Sequence, residues 1–276
     1  MLNNSELGKK SLYEATYDPT KLFRIPRKSK RDEIGVDSDN LPFHGFDCWN
    51  HYEVSWLNEK GKPVVATAQI FYDCKSEYII ESKSFKLYFN SFNNSRFQSF
   101  EKVQKIIAED VSKELELSAE VILSLLDSNE LINIKNKFDG ENIDNLDIEC
   151  DEYLVNPELL KCNQDEIVSE ILNSDLLKSN CLVTHQPDWG SVQIEYKGPK
   201  IDKESLLKYI VSFRNHNEFH EQCIERIFID IKNKCNPEKL TVYGRYTRRG
   251  GLDINPYRAT EEHINFLEKN IRLKRQ

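Results

Sequence analysis

The period of apolar positions changes several times along the chain, and each change marks a different predicted element. Tyr52, Val54 and Trp56 alternate with polar residues, the turn KGK follows at 60–62, and a second apolar run spans 63–73. Alternation with a period of two is typical of a half-buried strand, and a short turn containing glycine joins two such strands. This stretch therefore predicts a β-hairpin.

Helical spacing replaces the alternation further along. Residues 100–115 carry apolar side chains every three or four positions, with Ser99 as a candidate N-cap, and so predict an amphipathic helix. The runs 119–127 and 130–138 then look like another pair of strands. Residues 138–165 are rich in Asp, Glu and Asn and indicate a linker or an inserted loop.

The same order of elements recurs in the second half. The recurring elements are a hairpin over 181–197 that turns at 187–190, helices over 201–216 (capped by Asp202) and 218–235, and strands over 240–249 and 252–259. Each half thus contains strand, strand, helices, strand, strand. This predicts an α+β fold of two tandem units, 1–150 and 151–276, each with an antiparallel sheet and helices on one face. Residues 1–45, with RKSKR at 27–31, are expected to form an irregular polar arm.

Composition narrows the class of protein. The 276 residues include 38 Lys plus Arg and 46 Asp plus Glu, giving a net charge of −8, and 39% of residues are hydrophobic. The chain can fill a core, and its acidic balance argues against a general polyanion binder and against direct tRNA binding. The first 20 residues do not resemble a signal peptide, and no run approaches the roughly 20 apolar residues of a membrane helix. We expect a cytoplasmic protein.

Candidate chemistry begins with a thiol. Among seven cysteines none forms a C-x-x-C pair, which indicates reduced thiols. Cys181 opens the polar stretch CLVTHQPDW, in which His185 or Asp188 could assist a nucleophile. The alternative is a buried structural thiol, and the pattern alone leaves both open.

Two further segments carry polar groups in suggestive patterns. In HNEFHEQ, His216 and His220 have the i, i+4 spacing of metal ligands on a helix, although the same spacing also fits an ordinary polar helix face. A second interpretation is that His220 and Glu221 clamp the donor edge of a guanine-like base. In IIESKSFKLYFNSFN, Glu81 and Lys83 could offer a second carboxylate and an anion-binding amine, or simply end a strand.

A basic turn completes the set. RYTRRGGLDINPYR places four arginines around two glycines, which suits phosphate binding, the alternative being a solvated basic turn. The sequence contains neither G-x-G-x-x-G nor a P-loop, so any nucleotide is held outside those frames.

These segments together resemble a known family. ESKSFKLYFNSFN, SNCLVTHQPDWGS, SFRNHNEFHEQC and RYTRRGGLDINP are similar in order and spacing to the long form of the NADPH-dependent 7-cyano-7-deazaguanine reductases, the nitrile reductases of queuosine biosynthesis. The match extends from about residue 15 onwards, and 259–276 add no functional residue. The resemblance implies tandem tunnelling-fold units, a homodimer and a relation to GTP cyclohydrolase I without a catalytic zinc.

The resemblance also implies roles for individual residues. The catalytic pair would be the nucleophile Cys181 and the proton donor Asp188. The substrate 7-cyano-7-deazaguanine would be bound by Ile80, Glu81, Ser82, His220 and Glu221. The cofactor NADPH would contact Ser82, Lys83, Arg249 and Gly250. For Asp188 to hold a proton at neutral pH, burial beside Trp189 and Leu182 would have to raise its pKa.

Two rival functions remain at this point. One is a zinc-dependent hydrolase of the same fold, with ligands drawn from Cys181, His185, His216 and His220. The other is a non-catalytic purine-binding module in which Cys181 is structural.

Overall fold

The computed structural model describes residues 16–127, 133–262 and 265–276 of the chain. Its strands are β1 (Arg24–Pro26), β2 (His44–Leu57), β3 (Pro63–Asp73), β4 (Tyr78–Ile80), β5 (Ala119–Leu125), β6 (Asn133–Lys135), β7 (Glu141–Asn142), β8 (Cys162–Ser174), β9 (Lys178–Asn180), β10 (Pro187–Ile201), β11 (Lys239–Tyr246), β12 (Leu252–Ala259) and β13 (Ile271–Leu273). Its α-helices are α1 (Lys28–Glu33), α2 (Ser82–Ser91), α3 (Phe100–Leu115), α4 (Lys203–Ser212), α5 (His220–Cys235) and α6 (Phe266–Lys269). None of these helices is long and apolar enough to cross a membrane.

One large sheet runs through both halves of the described chain. Its strand order is β5-β3-β2-β12-β11-β10-β8-β7, with β9 paired to β10. Every pair is antiparallel except β7 with β8. Strand β2 of the first half pairs with β12 of the second, from His51 opposite Leu252 to His44 opposite Ala259. The two predicted units therefore share a continuous sheet.

Alternate residues of each strand face opposite sides of this sheet, so the sheet packs on both. On one face, α2 and α3 cover a core that includes Trp49, and α4 and α5 cover a core that includes Val192. On the other face, Phe46 and Tyr257 pack with Ile271 of the final segment. Burial of large apolar side chains on both faces is the main stabilising contribution to the fold.

Several predicted elements are confirmed with their caps. Strands β2 and β3 form the expected hairpin. Helix α3 begins after Ser99, whose Oγ accepts a hydrogen bond from Lys102 N at 3.2 Å. Helix α4 begins after Asp202, whose carboxylate accepts from Ser205 N at 2.8 Å. These side chains satisfy backbone N–H groups that a helix start leaves open.

The turn predicted at 187–190 is wrong. Strand β10 already begins at Pro187, and the chain reverses over 181–186 instead. Proline is acceptable there because it is the first residue of the strand, where its lack of an N–H matters least. Asp188 consequently lies in a strand and not in a turn.

The arm is more ordered than expected. Its described part contains β1, which pairs with β4, and the short helix α1. Arg27 and Arg31, at the ends of the RKSKR run, are each only 1% exposed. The run is thus not a solvated basic patch, because its two arginines are part of the interior.

Two other expectations change in detail. Of the strand expected over 130–138, the described part is β6, which pairs in parallel with β13 and not with β5; residues 128–132 lie outside the described residues. The predicted linker 138–165 is not a solvated tether, since Ile143 and Leu160 are buried in the core beneath α4 and α5.

Candidate active site

A tight turn holds Cys181 between β9 and β10. Cys181 N donates to Gln186 O at 2.8 Å, and His185 N donates to Cys181 O at 3.0 Å. His185 adopts a left-handed backbone (φ 55°), which costs some strain in a residue other than glycine. The thiol is 5% exposed and is not paired with any cysteine of the described chain. The turn fixes the thiol next to the start of β10, where Asp188 lies.

Asp188 is buried in contact with two basic side chains. Its Oδ1 lies 2.6 Å from Arg249 Nη2 and 3.6 Å from His220 Nε2. Because Asp188 is opposite Ser179 in the β9–β10 ladder, it sits beside the residues that lead into Cys181. The predicted proton donor and the predicted nucleophile are therefore placed on the two sides of one turn.

The expected rise in the pKa of Asp188 is wrong for this structure. Burial does raise the pKa of this carboxyl, but interactions with His220, Arg249 and Lys86 outweigh burial and lower it. Trp189, expected to shield the site, is 39% exposed. Asp188 is consequently ionised at neutral pH in this structure.

His220 and Glu221 open helix α5. The His220 ring meets Tyr246 edge to face, with ring centroids 4.1 Å apart. Glu221 is 2% exposed, and its Oε1 accepts no hydrogen bond from the described residues. Burial and the charge of Asp47 raise the pKa of Glu221 to about 7, against the opposite influence of His220 and Arg27. Such a carboxylate is open to a ligand that brings N–H donors.

The structure does not place His216 and His220 as two metal ligands on one helix. His216 precedes α5, so the two residues do not share a helix face, and its Nε2 lies 2.9 Å from Glu218 Oε2. His185 Nδ1 lies 3.2 Å from Asn217 Oδ1. Within residues 16–127, 133–262 and 265–276, no group of three His, Cys, Asp or Glu side chains is arranged to hold a metal ion.

The segment ESKS forms a helix start that the strand interpretation missed. Ile80 is the last residue of β4 and is 1% exposed. Glu81 caps α2: its carboxylate accepts from Lys83 N and from Ser84 N, both at 2.7 Å. Burial raises the pKa of Glu81, opposed by these two hydrogen bonds. Ser82 and Lys83, the first residues of α2, are half-buried at its N-terminus.

Lys86 is a site residue to which sequence reasoning gave no role. Its charge interacts with Arg249, Glu81, Asp188 and Cys181, so it links α2 of the first half to the Cys181 turn of the second. Burial and the charge of Arg249 lower the pKa of Lys86. Had α2 been predicted as a helix, the i, i+3 spacing from Lys83 would have placed Lys86 near the same end of it.

The turn between β11 and β12 supplies Arg249 and Gly250. Arg249 Nη1 donates to Gln186 Oε1 at 2.8 Å, so this turn is tied to the Cys181 turn. Gly250 has φ +59°, and a Cβ there would lie 3.1 Å from Cδ and Cε of Lys86. Glycine thus permits both the backbone conformation and the approach of Lys86.

A groove of about 420 Å³ adjoins this turn, lined in part by Lys86, Asn90 and Gly250. His51 borders it, and its Nδ1–H donates to Gly251 O at 2.9 Å. The groove brings an amine and a glycine-rich backbone together at the site, which suits a ligand bearing phosphate.

The other buried cysteines differ from Cys181 in their surroundings. Burial raises the pKa of Cys48, Cys74, Cys223 and Cys235. Only for Cys181 among the described cysteines do Lys86, Arg249 and Asp188 converge on one turn. Among the described cysteines, Cys181 is thus the one placed beside an amine, a guanidinium and a carboxylate that could exchange protons or stabilise charge.

Each half of the chain matches the model of a known protein family. The family described as "Nitrile reductase, 7-cyano-7-deazaguanine-reductase N-term" matches residues 13–123. The family described as "QueF-like protein" matches residues 187–265. A solved apo structure of the archaeosine synthase QueF-Like has a TM-score of 0.31 and 19% identity, covering 36% of this chain and 96% of that one.

Curated relatives match almost end to end, and each is named NADPH-dependent 7-cyano-7-deazaguanine reductase. The relative from Legionella pneumophila (strain Corby) is 60% identical over 276 residues, covering 99% of this chain and 95% of the relative. Those from Hydrogenovibrio crunogenus and Rickettsia bellii (strain OSU 85-389) are each 54% identical, covering 95% and 100% of this chain and 94% and 99% of the relatives. The chain therefore belongs to the family of NADPH-dependent 7-cyano-7-deazaguanine reductases.

Proposed function

We propose that this protein reduces the nitrile of 7-cyano-7-deazaguanine to the aminomethyl group of 7-aminomethyl-7-deazaguanine, with two NADPH consumed per nitrile. The observation that carries the proposal is the placement of the buried Asp188, paired with the partly exposed Arg249, across a single turn from Cys181. The names of the relatives give the same substrate and cofactor. Those names describe reductases, so the comparisons give no support to the zinc hydrolase.

The first step follows from the ionised state of Asp188. As the Cys181 sulfur attacks the nitrile carbon, the thiol proton passes to the Asp188 carboxylate, and Asp188 then delivers it to the nitrile nitrogen. One S–C bond and one N–H bond form, and the product is a covalent thioimide. Asp188 thus serves as base and then as acid, and it does not need a proton in advance. Arg249 and Lys86 stabilise the charges that develop around it.

Base recognition falls to the carboxylates at the two helix starts. Glu221 offers an oxygen with no partner among the described residues, and a carboxylate can accept two N–H donors of a guanine-like edge. Ile80, Glu81 and Ser82, at the junction of β4 and α2, would contact the substrate from the first half, and His220 adjoins Asp188. The substrate is therefore held by residues from both predicted units.

The residues beside the groove fit the cofactor. Ser82 and Lys83 at the start of α2, together with Arg249 and Gly250, would hold NADPH, which when bound supplies the hydrides that reduce the carbon. Lys86 adds positive charge at the edge of the groove. The sulfur of Cys181 leaves with its bonding electrons after the first reduction and regains a proton, so the thiol is restored.

The wider proposal includes the assembly. We take the units 1–150 and 151–276 to be tandem tunnelling-fold units in a cytoplasmic homodimer that binds the free base and not tRNA. Sedimentation analysis tests the dimer, and a filter-binding assay with tRNA tests the last point.

The decisive experiment is the stoichiometry of NADPH oxidation with 7-cyano-7-deazaguanine, followed by nicotinamide absorbance. We expect two NADPH per nitrile and no turnover for Cys181→Ala. The matched control is Cys235→Ala, which removes a buried thiol at the far end of α5 and should retain turnover. Turnover by Cys181→Ala, or none by folded wild-type protein, would overturn the proposal.

A further inference from the structure

A cluster of charged side chains is buried where the arm meets both halves of the sheet. Each member is 1% exposed or less. The members are Arg27 and Arg31 of the arm, Asp47 of β2, Glu225 of α5 and Arg258 of β12. Charges are seldom buried without partners, so the arrangement of the pairs decides where uncompensated charge remains.

Most members of the cluster are well paired. Arg31 donates to both carboxylate oxygens of Glu225, at 2.8 and 2.9 Å. Arg258 bridges Glu225 at 2.9 Å and Asp47 at 2.9 Å. Arg27 contacts Asp47 through Nη2, but its Nη1 is 3.5 Å from Glu225, and neither Nη1 nor Nε donates a hydrogen bond to a described residue. Asp47 Oδ1 likewise accepts no hydrogen bond from a described residue, so Arg27 and Asp47 are the members of the cluster with unsatisfied polar atoms.

The cluster reaches the base-binding carboxylate through α5. Glu221 precedes Glu225 by one helical turn, so the two side chains share a face of α5. Tyr72 is opposite Asp47 in the β2–β3 ladder, and the Arg27 guanidinium lies 5.9 Å from its ring. Arg27, Asp47, Tyr72 and Glu221 are all buried, and the charges of Glu221 and Asp47 add to burial in raising the pKa of Tyr72.

We propose that Arg27 and Asp47 are positioning residues that set the charge of Glu221, and thereby the pH range over which the site binds the base. This inference rests on the proposed function, because it takes Glu221 as a base-binding carboxylate. The arm would then serve the active site although none of its described residues is among the predicted substrate contacts.

Among the described residues, the charges that act on Glu221 are those of His220 on α5, Asp47 on β2 and Arg27 from the arm, and Glu221 in turn acts on Tyr72 of β3. Asp47 disfavours the ionised carboxylate, whereas Arg27 and His220 favour it. The ionised form accepts two N–H donors, so base binding weakens as pH falls through the pKa of Glu221. We call the fall in affinity toward low pH the acid limb of the binding curve. Removing Arg27 should move the acid limb to higher pH, and removing the charge of Asp47 should move it to lower pH.

The test measures the dissociation constant of 7-cyano-7-deazaguanine by calorimetry in a Cys181→Ala parent, which cannot form the covalent adduct. For Arg27→Met we expect the acid limb to shift upward by about one pH unit, giving about tenfold weaker binding below the limb and near-parental binding above it. For Asp47→Asn we expect a shift of similar size in the opposite direction. Arg258 still pairs with Asp47 in Arg27→Met, and Glu225 still pairs with Arg258 in Asp47→Asn.

Arg31→Met is the matched control, since Arg31 is equally buried and binds Glu225 and the Cys74 carbonyl. We expect its limb to coincide with that of the parent. Shifts of Arg27→Met and Asp47→Asn in the same direction, an equal shift in Arg31→Met, or no shift would overturn the inference. If Arg27→Met does not fold, Arg27→Lys should keep the parental limb while Asp47→Asn still shifts it. A parent that binds no base at any pH would refute the proposed function and remove the basis of the inference.

Discussion

Glu221 and Glu225 lie one turn apart on α5 and are 2% and 1% exposed, yet only Glu225 is held directly by arginine side chains of the described residues. Three arginines hold Glu225, and their charges outweigh burial and lower its pKa to about 2. Glu221 has an oxygen without a hydrogen bond from the described residues, and its pKa is raised. At equal burial, Glu225 is an ionised structural residue, whereas Glu221 keeps an oxygen that a ligand could reach with an N–H donor. The difference arises because neighbouring charges decide whether the cost of burying the ionised form is offset.

The largest effect on stability should come from removing the charge of Glu225, the paired carboxylate of the two. Glu225→Gln removes the shared carboxylate and leaves Arg31 without a charged partner, so we expect a loss of about 3–5 kcal/mol in the free energy of unfolding. Urea denaturation at neutral pH measures it. A loss below about 1 kcal/mol would show that the cluster is not an anchor.

The same residue predicts a pH dependence. Because the pKa of Glu225 is lowered on folding, its contribution is present above the unfolded value of about 4.3 and is lost as pH falls toward 2. The stability difference between wild type and Glu225→Gln should therefore shrink over that range.

The next largest effect should be on substrate binding and comes from Glu221, the other carboxylate of the comparison. Glu221→Gln should weaken binding of 7-cyano-7-deazaguanine by about 10- to 100-fold, since it replaces charge-assisted hydrogen bonds. Its stability should not fall at pH 8: a raised pKa means that Glu221 stabilises the fold at low pH and loses this contribution as pH rises through about 7. Calorimetry and urea denaturation on the same samples check both. Lower stability at pH 8 would contradict the contrast with Glu225.

A smaller effect should follow at the neighbouring carboxylate, Asp188. Arg249→Met removes one of the charges that lower the pKa of Asp188, so the acid limb of thioimide formation should move upward by about one unit. Intact mass after acid quench measures the adduct without NADPH, because Arg249 is also a predicted cofactor contact. Arg248→Met is the control: Arg248 lies over the Tyr52 ring, and its limb should not move.

The smallest effect on stability should come from an exposed ion pair made by Arg24 of the N-terminal arm. Arg24 lies 2.6 Å from Glu116, but the two side chains are 36% and 55% exposed. We expect Arg24→Gln to change the free energy of unfolding by less than about 1 kcal/mol, because solvent screens the pair. A loss like that of Glu225→Gln would mean that burial does not separate the two kinds of ion pair.

Sequence patterns predicted the local elements of the fold better than their connections. Ser99 and Asp202 mark helix starts because a cap depends on a few neighbouring residues. The pairing of β2 with β12 has no local signal, since both strands show only their own alternation. The sequence predicts a turn at Pro187, where the strand in fact starts, because Pro-Asp-Trp-Gly is a turn pattern when its pairing with β9 is unknown.

At the site, the sequence likewise predicts which residues matter better than it predicts their charge states. The resemblance supplied Cys181, Asp188 and Glu221, whose roles stay predictions, but the charge state of Asp188 depends on Arg249 and Lys86 from distant segments. The sequence predicts only an irregular polar arm around Arg27, and the fold buries this residue against Asp47. Which charges meet is a property of the packing, and composition does not reveal it.

The pairing of β2 with β12 also affects how the protein comes to be made. About 200 residues separate the partners, so most of the chain must be synthesised before the middle of the sheet can close. Until then β2 presents an open strand edge, which favours association with other chains. Contacts this distant in sequence also slow folding. We therefore expect a chain cut at residue 150 to give two fragments that aggregate when separate and regain activity only when they are refolded together.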